Sequence, residues 1–320
     1  MNLRTLSSPR SNSKYRQKRV LGPRRSLRAR LLGGWRFPVR PLAVVFCLVA
    51  SFLFVPRSAG AESEPLWELG VGLVGISLPD YNGSDERSSR IFPMPYLIYR
   101  GGLFQADRDG LHFLSTDRFA FDVSVNATPP VSSADSGVRE GMPDLLPSVE
   151  VGPMAKFVVL SNADKSRVLK IRLAWRAVIA TDIRQWKAPG WVFSPDVALT
   201  LRAASTSASS REANISVGPL MASRGVHDYY YSVDDAHKTA DRALYEARAG
   251  YAGLRATARV SWRFSNIWFS VFTRYDDLHG ASFAQSPLVP AKYAFIVGTG
   301  FAVIFARSAK VDLSTFRPDK

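Results

Sequence analysis

Apolar and polar residues alternate along most of the chain beyond residue 61. The segments 118–127, 167–180 and 254–264 place an aliphatic or aromatic side chain at nearly every second position, with polar or charged side chains common between them. A period of two residues is typical of a β-strand, because successive side chains point to opposite faces of a sheet. Twelve segments of this kind predict strands near residues 66–78, 91–100, 102–107, 111–116, 118–126, 146–161, 166–181, 190–203, 212–224, 249–264, 267–277 and 292–305.

The length of these segments separates two classes of β-protein. Several run for ten to sixteen residues, whereas strands of soluble domains average about five or six. Alternation alone does not distinguish a soluble barrel, with its apolar face inside, from a membrane barrel, with its apolar face towards lipid. The length of the predicted strands favours the membrane barrel. The predicted fold is all-β: a transmembrane, antiparallel, up-and-down β-barrel of about 12 strands, with about 10 as the alternative count.

The connections between the predicted strands differ in length on the two sides of the barrel. Short turns such as "TD" at 116 and "SN" at 265 lie on one side. Outer-membrane barrels combine short periplasmic turns with long outer loops, so this asymmetry fits that class. The side predicted to face outwards has one short turn, 108–110, and five long connections: 79–90, 127–145, 182–189, 225–248 and 278–291.

Residues 1–61 have the organisation of a secretory leader. The first 40 residues contain twelve Lys or Arg and no acid, an apolar run follows at 41–55, and "AGA" at 59–61 is a small-residue cleavage site. As a helix the apolar run would reach about 21 Å, short of the ~30 Å hydrocarbon core, which disfavours a permanent anchor. We therefore expect a signal peptide over 1–61, a barrel over 62–305 and a polar tail over 306–320.

Removal of the leader changes the charge of the chain. The full sequence carries +15, but residues 62–320 contain 29 basic and 27 acidic residues, a net charge of +2. A nucleic-acid partner is therefore not expected. The one cysteine, Cys47, lies in the leader, so the processed chain would have neither disulfides nor thiol chemistry.

Several motifs in a fixed order resemble the MipA/OmpV family, also called the MltA-interacting protein family. They are "PDYNGSDERSSRIFPMPYLIYRGG" from residue 79, "ADRDGL" from 106, "REGMPDLLPSVEVGP" from 139, "DYYYSV" from 228 and "SPLV" from 286. The resemblance covers nearly all of the chain beyond the leader and designates, as family-motif residues, Pro79, Asp80, Tyr81, Gly83, Ser84, Arg139, Gly141, Met142, Pro143 and Asp144.

The resemblance implies a location and a role. Members of the family are multi-pass β-barrels of the Gram-negative cell outer membrane, surrounded by its lipid. The founding member is a non-enzymatic scaffold that joins a murein lytic transglycosylase to a murein synthase. The alternative for this chain is an outer-membrane channel, or a surface protein of adhesion or stress response, because its long outer loops are the larger surface.

Local residue chemistry also offers simpler explanations for the motifs. Residues 79–84 are turn formers, so they predict a structural turn. At 139–144, Asp144 is expected to cap a turn and Arg139 to pair with an acid of a loop. Alanines at helical spacing between 235 and 247, with Asp235 as a cap, predict a short helix in an outer loop.

Basic residues recur on the polar face of the predicted strands. They would either line an anion-preferring channel, or pair with acids such as Asp122, Glu150 and Asp196 and fill a narrow barrel. The paired interior is slightly favoured. The predicted lumen residues are Lys170, Arg172, Arg176, Arg202, Arg255, Arg259 and Arg263.

No catalytic or cofactor motif is present in the sequence. The histidines His112, His227, His237 and His279 are scattered, and neither an HExxH motif nor a G-x-S-x-G motif occurs. The sequence therefore predicts a protein that is not an enzyme and that binds no cofactor.

Overall fold

The computed structural model describes residues 64–100, 105–107, 110–116, 118–182, 184–206 and 209–311. The predicted signal peptide lies outside this part of the chain. Fourteen strands occur among the described residues: β1 (Glu64–Pro65), β2 (Trp67–Pro79), β3 (Arg87–Arg100), β4 (Gln105–Asp107), β5 (Gly110–Ser115), β6 (Phe119–Thr128), β7 (Ser148–Ser161), β8 (Arg167–Thr181), β9 (Trp186–Thr206), β10 (Ser209–Ala222), β11 (Gly250–Phe264), β12 (Ile267–Asp277), β13 (Tyr293–Arg307) and β14 (Lys310–Val311).

Strands β2 to β13 form one closed antiparallel barrel. Each strand pairs with its neighbours in sequence, and the ring closes where β13 pairs with β2, with Val303 opposite Val71. The up-and-down barrel and the twelve-strand count predicted from alternation are therefore confirmed. β1 and β14 pair separately, with Glu64 opposite Val311, so part of the segment expected to be a free tail is held in a short ladder.

The side-chain pattern of β13 shows how the barrel uses alternation. Tyr293, Val297, Phe301, Val303 and Phe305 are exposed, as is Thr299, whereas Ala294, Ile296, Ala302 and Ile304 at the alternate positions are buried. The outer surface of the barrel is therefore apolar. Inside, Tyr96, Ile98, Trp268, Ala302 and Ile304 form an apolar cluster beside the short turns.

The two ends of the barrel differ as the sequence predicts. One end carries tight turns such as Ser265–Asn266, where Ser265 has a φ of 53° that lets two residues reverse the chain. We call this the turn end. At the other end the loops 80–86, 129–147, 223–249 and 278–292 pack together, and we call these loops the cap. The loop expected at 182–189 is shorter, because β9 begins at Trp186.

The helix predicted at 235–247 is wrong. That segment consists of turns, because Asp234 binds the main chain of His237 and Thr239 binds that of Arg242. The helix of the cap is α1 (Arg224–Tyr231), which ends before the alanine-rich segment begins. Among the described residues, no helix is both long enough and apolar enough to cross a membrane.

Candidate functional site

The cap brings together motifs that are far apart in the sequence. The Tyr81 hydroxyl donates to the Leu288 carbonyl at 2.7 Å, and the Tyr231 hydroxyl donates to the Asn82 carbonyl at 3.0 Å. The Tyr231 ring stacks on Phe283 with 3.8 Å between ring centroids. The motifs that begin at residues 79, 228 and 286 therefore meet in one packed structure, and the motif that begins at residue 139 joins them through the bond from Arg139 to the Tyr230 carbonyl.

Residues 79–84 form the turn expected from their composition. Pro79 ends β2, the Ser84 amide donates to the Tyr81 carbonyl at 3.0 Å, and the Ser88 hydroxyl donates to Asp80 at 3.0 Å. Gly83 has a φ of 99°, a conformation that a side chain at this position would disfavour.

Arg139 does not pair with an acid, so that expectation is wrong. Its guanidinium is buried and donates to the carbonyls of Tyr230 at 2.9 Å and Pro143 at 3.1 Å. The guanidinium also lies 5.7 Å from the centre of the Tyr81 ring. Burial lowers the pKa of Arg139, while the nearby Tyr81 opposes that shift. Main-chain carbonyls took the place of an acid because the loops fold back over this side chain.

Asp144 caps a turn, as predicted. Its carboxylate accepts from the Ser133 amide at 2.7 Å and from the Ser133 hydroxyl at 2.8 Å, and these bonds lower the pKa of Asp144. Gly141 has a φ of 76°, and Met142 packs with Val233 and Leu288. The described contacts of residues 141–144 therefore stabilise the fold of the loop.

The buried tyrosines of the cap stay neutral. Burial raises the pKa of Tyr230 to about 12 and also raises the pKa values of Tyr81 and Tyr231. The hydroxyls of Tyr81 and Tyr231 donate hydrogen bonds between loops, and the Tyr230 hydroxyl shares one with the Ser148 hydroxyl of β7.

Ion pairs join neighbouring strands on the inner face of the barrel. Arg172 lies 2.7 Å from Asp196, and Arg176 lies 2.8 Å from Glu150. Lys156 pairs with Asp122, and Arg202 lies 3.0 Å from Glu212. Lys170 and Arg259 are partly buried on the same inward faces as Arg172 and Arg255. The sequence left open whether the basic residues line a channel or pair with acids, and in the structure several of them pair with acids.

Two carboxylates each serve two guanidinium groups. Asp276 is fully buried and accepts two hydrogen bonds from Arg255 at 2.8 and 2.9 Å, and Arg274 lies 3.3 Å from the same carboxylate. Glu68, also fully buried, lies 3.2 Å from Arg100 and 2.8 Å from Arg263. Each group of three side chains has one positive charge in excess. Sequence reasoning missed Asp276 and Glu68 as shared acceptors.

A cavity of about 650 Å³ lies between the cap and these ion pairs. Its cap side includes Tyr230, Tyr231 and Phe283, and its barrel side includes Glu150, Arg255 and Arg274. This volume lies within the range of small-molecule sites, and the mixture of aromatic and charged walls is typical of such sites.

His227 lies beside this cavity and next to Ser282. The His227 Nδ1 is 2.6 Å from the Arg248 carbonyl and 3.1 Å from the Ser282 hydroxyl. A carbonyl only accepts, so Nδ1 carries the proton and does not serve as a base for Ser282. This helix was not predicted from the sequence, although Val226 and His227 lie four residues before Tyr230 and Tyr231, a spacing that is typical of one helix face.

Among the described residues, no group of three or more His, Cys, Asp or Glu side chains is placed to hold a metal ion. His112 lies on β5, with its backbone opposite Asp122. His237 and His279 each contact a nearby aspartate, Asp234 and Asp277 respectively.

Comparison with solved structures finds bacterial outer-membrane proteins of low similarity. A bacterial polysaccharide outer membrane secretin has 7% identity and a TM-score of 0.37, with 75% of this chain and 99% of that chain covered. An outer membrane channel from Pseudomonas putida has 11% identity and a TM-score of 0.36, with 78% and 100% covered. OprG from Pseudomonas aeruginosa has 8% identity and a TM-score of 0.23, with 77% and 97% covered.

No curated protein matches the chain. The family comparison, in contrast, matches most of the barrel and all four motifs that meet in the cap. The model of the family described as MltA-interacting protein MipA matches residues 71–305, and the chain therefore belongs to the MipA family.

Proposed function

We propose that this protein is a non-enzymatic outer-membrane β-barrel that acts as a scaffold for murein-processing enzymes. The observation that supports the membrane location is the apolar outer surface. Large hydrophobic side chains remain exposed on successive strands of the barrel, among them Leu69, Val71, Leu73, Phe92, Leu97, Phe121, Val125, Ile171, Leu173, Trp175, Val197, Val217, Phe301 and Val303.

The height of this apolar surface fits a bilayer. On β13, Tyr293 and Phe305 are exposed at opposite ends of the strand, with Val297, Phe301 and Val303 exposed between them. Twelve residue steps at about 3.3 Å, tilted by roughly 40°, span about 30 Å. Aromatic side chains at both ends of such a band are typical of the two membrane interfaces.

The membrane location is tested by placing a charge on this surface. Leu73 is 56% exposed at the middle of β2, and Leu244 is 59% exposed in the cap. In lipid vesicles, Leu73→Arg is expected to lower the free energy of unfolding by about 2–4 kcal/mol, because the charge enters hydrocarbon. Leu244→Arg, at matched exposure, is expected to leave it within about 0.5 kcal/mol. Equal, small effects of the two variants would contradict a membrane barrel.

The scaffold role is supported by membership of a family described as MltA-interacting. The proposed partners are a murein lytic transglycosylase and a murein synthase, which would bind at the turn end. That end carries the ladder between Glu64–Pro65 and Lys310–Val311 and the exposed turn around Lys165. With short turns towards the periplasm, this is the surface that murein enzymes could reach.

Cross-linking in intact cells tests the partner and the end of the barrel together. A photoreactive residue is placed at Lys165 on the turn end, and the matched control places it at Lys238 in the cap; both side chains are exposed. We expect murein enzymes to be captured from Lys165 and not from Lys238. Capture from Lys238 alone would instead favour a function at the outer surface.

A further inference from the structure

We propose that the cavity beneath the cap binds a small organic anion, in which an aromatic ring carries a carboxylate. The anionic group would contact Arg274, and the ring would pack beneath the cap. This site is separate from the turn end, so the proposal does not rest on the scaffold function.

The charges around the cavity favour an anion. Six of the described lining side chains are basic and three are acidic. Two carboxylates that do not line the cavity, Asp122 and Asp276, pair with basic lining residues. Together these eleven side chains carry one more positive than negative charge, in surroundings where a charge has few water molecules to stabilise it.

Arg274 is the group with capacity for a ligand. Asp276 already accepts two hydrogen bonds from Arg255, and it contacts the Arg274 Nε at 3.3 Å without accepting a hydrogen bond from it. The other described contact of Arg274 is a bond of 3.2 Å from its Nη2 to Asn82 in the cap. A carboxylate matches the planar fork of donors on a guanidinium and would satisfy the remaining charge.

The cap side of the cavity fits a flat apolar group. Tyr230, Tyr231 and Phe283 line it, and Val192 and Leu220 continue the apolar wall on the barrel. His227 lines the same side, and its Nε2 is buried with no hydrogen-bond partner among the described residues. Since Nδ1 carries the proton, Nε2 would accept a hydrogen bond from a donor on the ring.

The experiment measures binding of 4-fluorobenzoate to the detergent-purified barrel by fluorine NMR, with protein-free micelles as the blank. The neutral analogue 4-fluorobenzamide has the same shape without the charge. We expect saturable binding of the benzoate and binding of the amide weaker by about tenfold or more, as for loss of one charge-assisted hydrogen bond. Absence of saturable benzoate binding, or equal binding of the amide, would overturn the proposal.

Two variants locate the site. Arg274→Gln leaves Asp276 paired with Arg255 and is expected to weaken benzoate binding by about tenfold. Its matched control is Arg202→Gln, because Arg202 also pairs with one acid, Glu212, but does not line the cavity. The control is expected to bind benzoate like the unmodified protein.

A second kind of variant keeps the result decisive if Arg274→Gln does not fold. Ser194 lines the cavity, and Ser194→Phe would fill part of it without removing an ion pair. We expect this variant to retain the heat-dependent gel mobility of the folded barrel and to lose benzoate binding. Unchanged binding in folded Ser194→Phe would show that benzoate binds elsewhere and would refute the site.

Discussion

Single arginines hold the loops of the cap together through main-chain carbonyls. Arg139 bonds to Tyr230 and Pro143, and the buried Arg242 bonds to the carbonyls of Val138 and Glu140 at 3.0 and 2.9 Å. Each guanidinium therefore joins the loop 129–147 to the loop 223–249. A guanidinium has five donors in a fixed plane, which suits several carbonyls at once.

Removal of Arg139 is expected to open the cap. Arg139→Ala would remove the buried guanidinium that bonds to the Tyr230 and Pro143 carbonyls, at a cost of about 2–4 kcal/mol in the local opening free energy. Hydrogen exchange of the Val131 and Leu145 amides, which bond to each other's carbonyls, measures this opening. Arg224→Ala is the control, because Arg224 is exposed and pairs with acids at the surface. An effect no larger than the control's would contradict the role of Arg139.

His227 makes the cap sensitive to pH. Burial lowers the pKa of His227, although the bond to the Arg248 carbonyl and the charge of Asp228 oppose the shift. The unfolded chain therefore binds a proton more readily than the folded cap. The stabilisation is complete above the ordinary histidine pKa of about 6.5 and is lost as the pH falls below it.

Hydrogen exchange of cap amides between about pH 7.5 and pH 5 tests this pH dependence. We expect faster local opening at the lower pH after correction for the intrinsic exchange rate, and a weaker pH dependence in His227→Gln. The control His237→Gln, in the same loop, should behave as the unmodified protein. At this acidity Asp144, whose pKa is lowered by Ser133, stays ionised and does not contribute.

At the scale of elements, α1 depends on close contact with β9. The Ser223 hydroxyl accepts from the Trp191 amide at 3.1 Å just before the helix begins. A Cβ atom at Gly225 would overlap the carbonyl oxygen of Pro189 on β9. The helix therefore needs glycine here for proximity, and it then places His227, Tyr230 and Tyr231 above the cavity.

Gly225→Ala is expected to displace α1 from β9 and to destabilise the cap by about 1–3 kcal/mol, as overpacking does in other interiors. Gly137→Ala is the control, since the nearest atom to its Cβ would be a Glu86 carboxylate oxygen at 3.4 Å. The measurement is protease cleavage within the loop 223–249 under native conditions. Equal cleavage of both variants would mean that the contact with Pro189 is unimportant.

At the scale of the whole molecule, the barrel has a closed interior. The apolar cluster of Tyr96, Ile98 and Trp268 lies beside the turn end, ion pairs such as Arg176–Glu150 lie on the inner wall, and the cap covers the other end. Charged side chains that pair along the inner wall of a narrow barrel leave little room for hydrated ions. This arrangement supports a binding or scaffold protein over an open channel.

Conductance in planar bilayers tests whether the cap closes the lumen. We expect the unmodified barrel to show no steady current. Ala222 and Gly250 are opposite each other at the ends of β10 and β11, so an Asn-Gly turn can replace residues 223–249. This variant is expected to conduct more than the unmodified barrel. As a control, replacement of the turn 162–166 by Asn-Gly is expected to leave the conductance unchanged. A large current through the unmodified barrel would contradict a closed lumen.

Much of the barrel could be predicted from the sequence, because alternation is a local property of each strand. The same pattern restricts the register, since a slip by one residue would turn every apolar side chain of a strand inwards, although a slip by two would not. The alternating residues of β13 predict its apolar outer face, and the intervals between alternating segments predict the long loops at one end. The failed helix at 235–247 marks the limit, because side chains such as Asp234 and Thr239 bind the main chain locally and compete with helix formation.

The cap and the cavity were decided by tertiary structure alone. Tyr81 meets Leu288, and Arg139 meets Tyr230, across long separations in sequence that no local pattern encodes. Likewise, alternation predicts that Arg255 and Arg274 point inwards but not that both share Asp276. Periodicity specifies which face of a strand a residue occupies, whereas the partner of a charge depends on how the closed ring brings distant strands and loops together.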